Sequence, residues 1–173
     1  MSGEPYLFSE DSALIGKVIE KYSGERCLEI GAGNGGIIAK LSESFSLVVG
    51  TDIVEPSMRD WRTAANFILA DRATCMRSSS FDFVVYNPPY LAEDGAGDQA
   101  VEGGRGLELP IAFLHEALRA VKRTGAIVFL LNNETKIDEI KTICARQGFA
   151  IRLMASRRVF FEELSVYEAT TKS

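Results

Sequence analysis

Glu29-Ile30-Gly31-Ala32-Gly33-Asn34-Gly35-Gly36 is the stretch on which the fold turns. Before it, Cys27-Leu28-Glu29-Ile30 reads as a short buried strand; after it, Gly35 to Leu41 reads as a helix. Glycines between the two permit positive φ and let a ligand come close to the backbone. Strand, glycine turn and helix in that order open a parallel βα unit.

The same alternation extends in both directions. Toward the N-terminus, Glu10 to Tyr22 sets Leu14, Ile15, Val18 and Ile19 at helical spacing, with Gly24 expected to close the helix. Toward the C-terminus, Ser46 to Thr51 is an apolar strand ending at Asp52, and Pro56 to Asn66 reads as a helix with its proline at a tolerated early position. Phe67 to Ala70 is a short third strand, and Phe81 to Tyr86 a fourth, stopped by Pro88 and Pro89. Leu91 to Gly106 is rich in glycine and acid and reads as a loop. A helix over Leu109 to Lys122, a strand over Ala126 to Leu131 and a helix over Lys136 to Gln147, ended by Gly148, follow. Two strands, Phe149 to Ala155 and Glu163 to Ala169, close the chain without a helix between them. The expected fold class is therefore α/β. It is a Rossmann-like, seven-stranded, mostly parallel sheet with helices on both faces and a C-terminal antiparallel hairpin, in one domain over residues 1–173. Ligands of such sheets bind at the carboxyl ends of the strands, beside the point where strand order reverses.

The bulk properties agree. A chain of 173 residues, 46% hydrophobic and 25% charged, is ordinary for a globular domain and buries roughly 70% of its unfolded surface. No apolar run reaches the ~18 residues of a membrane span. The first residues lack the basic flank and apolar stretch of a signal peptide, so a cytoplasmic location is expected. Cys27, Cys75 and Cys144 are isolated and read as buried small hydrophobes, and no metal site is expected. His115, in the apolar segment AFLHEAL, reads as structural or surface. The net charge of −5 argues against a self-sufficient binder of long nucleic acid, though a local basic patch can hide in a negative total.

The glycine loop alone leaves two ligands open. Gly31, Gly33 and Gly36 satisfy the dinucleotide fingerprint, and the same loop suits S-adenosylmethionine (SAM). Asp52, ending the second strand, can accept hydrogen bonds from ribose hydroxyls, which both ligands carry. Asp71, after the third strand, can accept one from an adenine amino group. Asn87-Pro88-Pro89-Tyr90 decides between them. Its two prolines fix φ and remove two backbone donors, holding a rigid turn. The Asn87 side-chain oxygen and the Pro88 carbonyl then form a pair of acceptors suited to an NH2 group on a planar carbon, on which Tyr90 can stack.

With those residues in view, the chain resembles the class I SAM-dependent methyltransferases. EIGAGNG is similar to their first motif, and YNPPY to the fourth motif of enzymes that methylate adenine N6, guanine N2 or a glutamine amide. Among these it resembles the short HemK-type protein-(glutamine-N5) methyltransferases of archaea and eukaryotes, which act on the Gly-Gly-Gln loop of class I release factors. Tyr6 with Glu10-Asp11-Ser12 resembles that family's N-terminal element, although Leu7-Phe8 stands where a proline is usual. Ala100 to Arg105 and Glu163 to Val166 resemble two further segments, and the likeness covers nearly the whole chain. The bacterial members' extra N-terminal domain is not expected. The resemblance implies Asn87, Pro88, Pro89 and Tyr90 as the catalytic motif. It implies cofactor contacts from Tyr6, Asp11, Ser12, Glu29, Gly31, Ala32, Gly33, Asp52, Ile53, Asp71 and Asn87, with S-adenosyl-L-homocysteine as product. It also implies a small zinc-binding activator pairing with the Phe67–Ala70 edge strand. A nucleic-acid amino-methyltransferase shares every one of these residues and stays open as an alternative. A catalytically silent SAM-binding subunit and a nicotinamide oxidoreductase fit them less well.

Overall fold

Near-continuous apolar runs in the central strands, with side chains pointing alternately to either side, build a sheet with two covered faces. The computed structural model describes residues 10–55, 66–88, 108–133, 135–160 and 162–171. In chain order these form α1 (Glu10–Ile19), β1 (Gly24–Ile30), α2 (Gly36–Leu41), β2 (Phe45–Asp52), β3 (Asn66–Leu69), β4 (Phe81–Tyr86), α3 (Glu108–Ala120), β5 (Val121–Asn132), α4 (Ile137–Arg146), β6 (Phe149–Val159) and β7 (Glu162–Thr171). The seven strands lie in one sheet in the order β3-β2-β1-β4-β5-β7-β6. β1 to β5 run parallel, and β7 is antiparallel to both β5 and β6. This is the expected class I methyltransferase fold, with its antiparallel C-terminal strands.

β4 shows how the period of two sorts the core. Val84 and Tyr86 pack with Phe113, Leu114 and Ala117 of α3 and with Ile140 and Cys144 of α4. Phe83 and Val85 point the other way, into a second core with Ile15 and Ile19 of α1 and Ile37, Ile38 and Leu41 of α2. β5 divides likewise, Ile127, Phe129 and Leu131 to one face and Val128 and Leu130 to the other. Both faces being covered, the central strands read as near-continuous apolar runs.

Several expectations are corrected. Gly24 does not close α1, which ends at Ile19; it is the first residue of β1, paired with Phe45. α3 stops at Ala120, so Lys122 lies in β5, where its ammonium meets Asp82 at 2.6 Å. β5 begins five residues earlier than its apolar stretch because Val121 pairs with Phe81 ahead of a register shift. Gly125 sits in that irregularity, where a Cβ would lie 2.6 Å from the Asp82 carbonyl oxygen. β6 runs past Ala155 to Val159 across polar residues that reveal no buried face. Of the cysteines, Cys27 and Cys144 are buried as expected but Cys75 is exposed. His115 is exposed. The expected helix over Pro56 to Asn66 and the loop over Leu91 to Gly106 fall almost wholly outside the described residues. No helix among the described residues is long and apolar enough to cross a membrane.

Candidate active site

Strand order reverses between β1 and β4, and among the described residues Glu29, the loop glycines and Asn87 lie at the carboxyl ends there, with Asp52 on the adjoining strand. The glycine loop leaves β1 with φ of +75° at Gly31, +50° at Gly33 and +80° at Gly35, values that L side chains resist. Amides of Gly31 and Ala32 both donate to the Thr51 carbonyl oxygen of β2, at 2.8 and 2.9 Å, which ties the loop to the neighbouring strand. A Cβ on Gly31 would lie 3.2 Å from the Phe113 ring of α3, whereas one on Gly33 would meet nothing within 4 Å. The loop is therefore packed on its inner side and open above Gly33.

Asp52 ends β2 and braces the same loop. Its Oδ2 accepts the Gly33 amide at 2.9 Å and its Oδ1 the Val54 amide at 3.0 Å. Each carboxylate oxygen has a second lone-pair site, so Asp52 keeps capacity to accept from a diol. Ile53, the next residue, is 69% exposed and offers an apolar face beside it. Asp71 follows β3 on the adjoining strand, mostly exposed and ion-paired with Arg72 at 2.9 Å.

Glu29 is buried within β1. Burial pushes its carboxyl well above the usual carboxylate range, the Asp52 charge adds to the shift, and the Ile38 amide of α2 opposes it by hydrogen bonding. Asn87 leaves β4; its Nδ2 donates to Asp11 Oδ2 of α1 at 3.0 Å. Pro88 behind it is buried. Three buried side-chain oxygens here have no hydrogen-bond partner: Glu29 Oε2, Thr51 Oγ1 and Asn87 Oδ1. Glu29 Oε2 and Asn87 Oδ1 lie on the face covered by α1 and α2, near the Ile38 amide and Asp11, whereas Thr51, in register with Ile30, turns to the opposite face of the sheet. A buried acceptor left unpaired costs about 1–3 kcal/mol, so Glu29 Oε2 and Asn87 Oδ1 mark a place shaped for donors.

Ser12 lies beside Asp11 in the first turn of α1. Tyr6, Pro89, Tyr90 and the segment 100–105 lie outside the described residues. Thr51, the Asp11–Asn87 contact and Asn132 are not signalled by residue type. Asn132 ends β5 buried, with its Oδ1 accepting the Thr135 hydroxyl at 3.0 Å. Nothing in residue type or spacing could have found them, because each depends on how distant segments meet in the fold.

No protein-family model matches the chain. Over 181 residues, 96% of this chain and 91% of the other, it is 30% identical to a Methanocaldococcus jannaschii protein named as a protein N5-glutamine methyltransferase. The chain belongs to the protein N5-glutamine methyltransferase family. Membership makes it a SAM-dependent methyltransferase, and the buried, unpartnered Glu29 oxygen in β1 with Asp52 at the end of β2 fits a cofactor that carries an ammonium and a ribose diol. Among solved structures, the E. cuniculi Mtq2–Trm112 complex, described as responsible for methylation of the eRF1 termination factor, matches 98% of both chains at TM-score 0.75 and 24% identity. The T. thermophilus 16S rRNA N2 G1207 methyltransferase RsmC, solved with AdoMet and guanosine, matches 99% of this chain and 44% of its own at TM-score 0.70 and 19% identity. At those identities the two structures share the fold of this family member.

Proposed function

We propose that this methyltransferase modifies the side-chain amide nitrogen of the glutamine in the Gly-Gly-Gln loop of a class I translation release factor. The observation that carries the reading is Asn87 Oδ1, a buried acceptor with no partner at the end of β4. SAM, when bound, supplies a methyl group on a sulfonium. For its cradle we assign the glycine loop and Glu29 at the amino-acid end, Asp52 at the ribose, and Ile53 and Asp71 at the adenine.

An amide nitrogen is a poor nucleophile because its lone pair is delocalised into the carbonyl. Asn87 Oδ1 and the Pro88 carbonyl accept the two hydrogens of the substrate NH2, which raises electron density on nitrogen and aims its lone pair at the methyl group. Tyr90 stacks on the amide plane. In-line transfer forms the nitrogen–carbon bond, breaks the carbon–sulfur bond and leaves positive charge on nitrogen. The two acceptors stabilise that charge, the reverse in sign of an oxyanion hole, and the nitrogen then loses a proton to solvent. Holding the two reactants in line contributes further, roughly 7–11 kcal/mol at most.

The reading extends to a partner, a small zinc-binding activator that adds a strand to β3 at the sheet edge. Its support is apolar side chains where soluble edges usually carry charge: Leu69 is 62% exposed, and Leu47 and Ile68 about 40%. The E. cuniculi relative is itself solved in a complex.

Labelled SAM incubated with a Gly-Gly-Gln release factor, tRNA and DNA, each in the presence and absence of the activator, tests the substrate class. Label in the release factor is expected. Label entering only nucleic acid would favour an adenine or guanine acceptor, and no transfer to any would favour a silent subunit.

A further inference from the structure

A side-chain amide is nearly symmetric in shape, yet Asn87 can serve an NH2 substrate in one orientation only. A half-turn of the group exchanges Oδ1 for Nδ2 and sets donor against donor. The residue that decides between the two lies on another element. Asp11, in the first turn of α1 and 76 positions earlier in the chain, accepts the Nδ2 hydrogen at 3.0 Å. A carboxylate offers only acceptors, so the reversed amide would bring oxygen against oxygen. The mount is firm, because Ile15 and Ile19 of the same helix are fully buried under the sheet. Asn87 Oδ1 is thereby left buried and unpartnered.

We propose that Asp11 is the positioning residue of the methyl-transfer site. It acts through Asn87, fixing the amide so that Oδ1 faces the substrate nitrogen. It also polarises that amide, since a hydrogen bond to a charged acceptor at Nδ2 shifts electron density toward Oδ1. As the substrate nitrogen becomes positive, the Asp11 charge stands two hydrogen bonds away and stabilises it without touching it. This rests on the reading of Asn87 as the acceptor-binding residue. It departs from the role the N-terminal element implies for Asp11, a contact to the methionine end of SAM.

The two roles separate in a double-mutant cycle on the full chain, with the Gly-Gly-Gln release factor as substrate, kcat taken at saturating SAM, and SAM affinity measured by calorimetry. Asp11→Ala is expected to lower kcat roughly 10- to 100-fold, as loss of an orienting partner does. Its SAM affinity should stay within a few fold of wild type, which also shows that the variant is folded. In an Asn87→Ala background the same change should cost nothing further. Asp11→Asn, which can still accept the Nδ2 hydrogen, should recover part of the loss. An Asp11→Ala enzyme with weakened SAM affinity and unchanged kcat, losses that multiply in the double variant, or an Asp11→Asn enzyme no better than Asp11→Ala would each overturn the proposal. Independently of turnover, the Asn87 side-chain amide resonance, assigned by its disappearance in Asn87→Ala, should lose protection from hydrogen exchange in Asp11→Ala, and an unchanged resonance would also overturn it. If Asn87→Ala itself turns over like wild type, the underlying reading of Asn87 fails. Failure of the Asp11 tests alone leaves that reading standing.

Discussion

Asn87 and Glu29 hold unpartnered oxygens in the same neighbourhood for different reasons, and each difference is measurable. Asn87→Ala removes an acceptor that matters only when nitrogen gains charge. Turnover is therefore expected to fall about 100-fold or more, with SAM affinity within a few fold, as for a lost pre-organised contact elsewhere. Single-turnover rates and calorimetry read the two quantities. Burial, with the Asp52 charge, raises the Glu29 carboxyl well above the usual 4.5. The unfolded chain releases that proton first as pH rises, so the stabilisation is complete below about 4.5 and is lost as pH climbs through the raised value. Glu29→Gln cannot titrate and escapes the loss. The melting-temperature advantage of this variant, measured without ligand, should widen from pH 4 toward pH 8; a gap independent of pH would contradict the assignment. At this scale the glycine loop was legible in the sequence, because its residue types dictate positive φ, whereas Pro89 and Tyr90 of the NPPY motif lie outside the described residues. The Asp11–Asn87 bond was not legible, since it joins residues far apart in sequence that meet only through the sheet.

Among the elements, β4 was legible residue for residue, since FDFVVY is apolar except for Asp82 and a proline follows directly after Asn87. β5 and β6 were not. α3 passes into β5 without a break, and the polar Lys122-Arg123-Thr124 resembles a helix end more than a strand start. β6 is an edge strand whose outer half is Ser156-Arg157-Arg158, with no buried face to betray it. β3 at the opposite edge is the strand to which we assign the activator. Its position follows from strand order, and its exposure from side chains that no described element covers. Ile68→Lys puts a charge on that edge and should weaken capture of the activator at least 10-fold while leaving SAM affinity unchanged. Pull-down with a tagged activator and calorimetry with SAM check the two halves. Undiminished capture would move the interface elsewhere.

For the whole molecule, the sheet order puts the expected cofactor position at the reversal point between β1 and β4. Ligand linkage then predicts that SAM or S-adenosyl-L-homocysteine at 100-fold its dissociation constant stabilises the chain by about 2.7 kcal/mol, while NAD does nothing. Thermal shift with each ligand checks this, and a shift with NAD alone would mean that the glycine loop had been read for the wrong nucleotide. The central claim is narrower: that the acceptor is a glutamine amide nitrogen. Tandem mass spectrometry of a release factor methylated by this enzyme locates the methyl group to one residue. The account predicts a single methyl on the side-chain nitrogen of the Gly-Gly-Gln glutamine, absent when the enzyme carries Asn87→Ala. A methyl found instead on a lysine, arginine or carboxylate would contradict it.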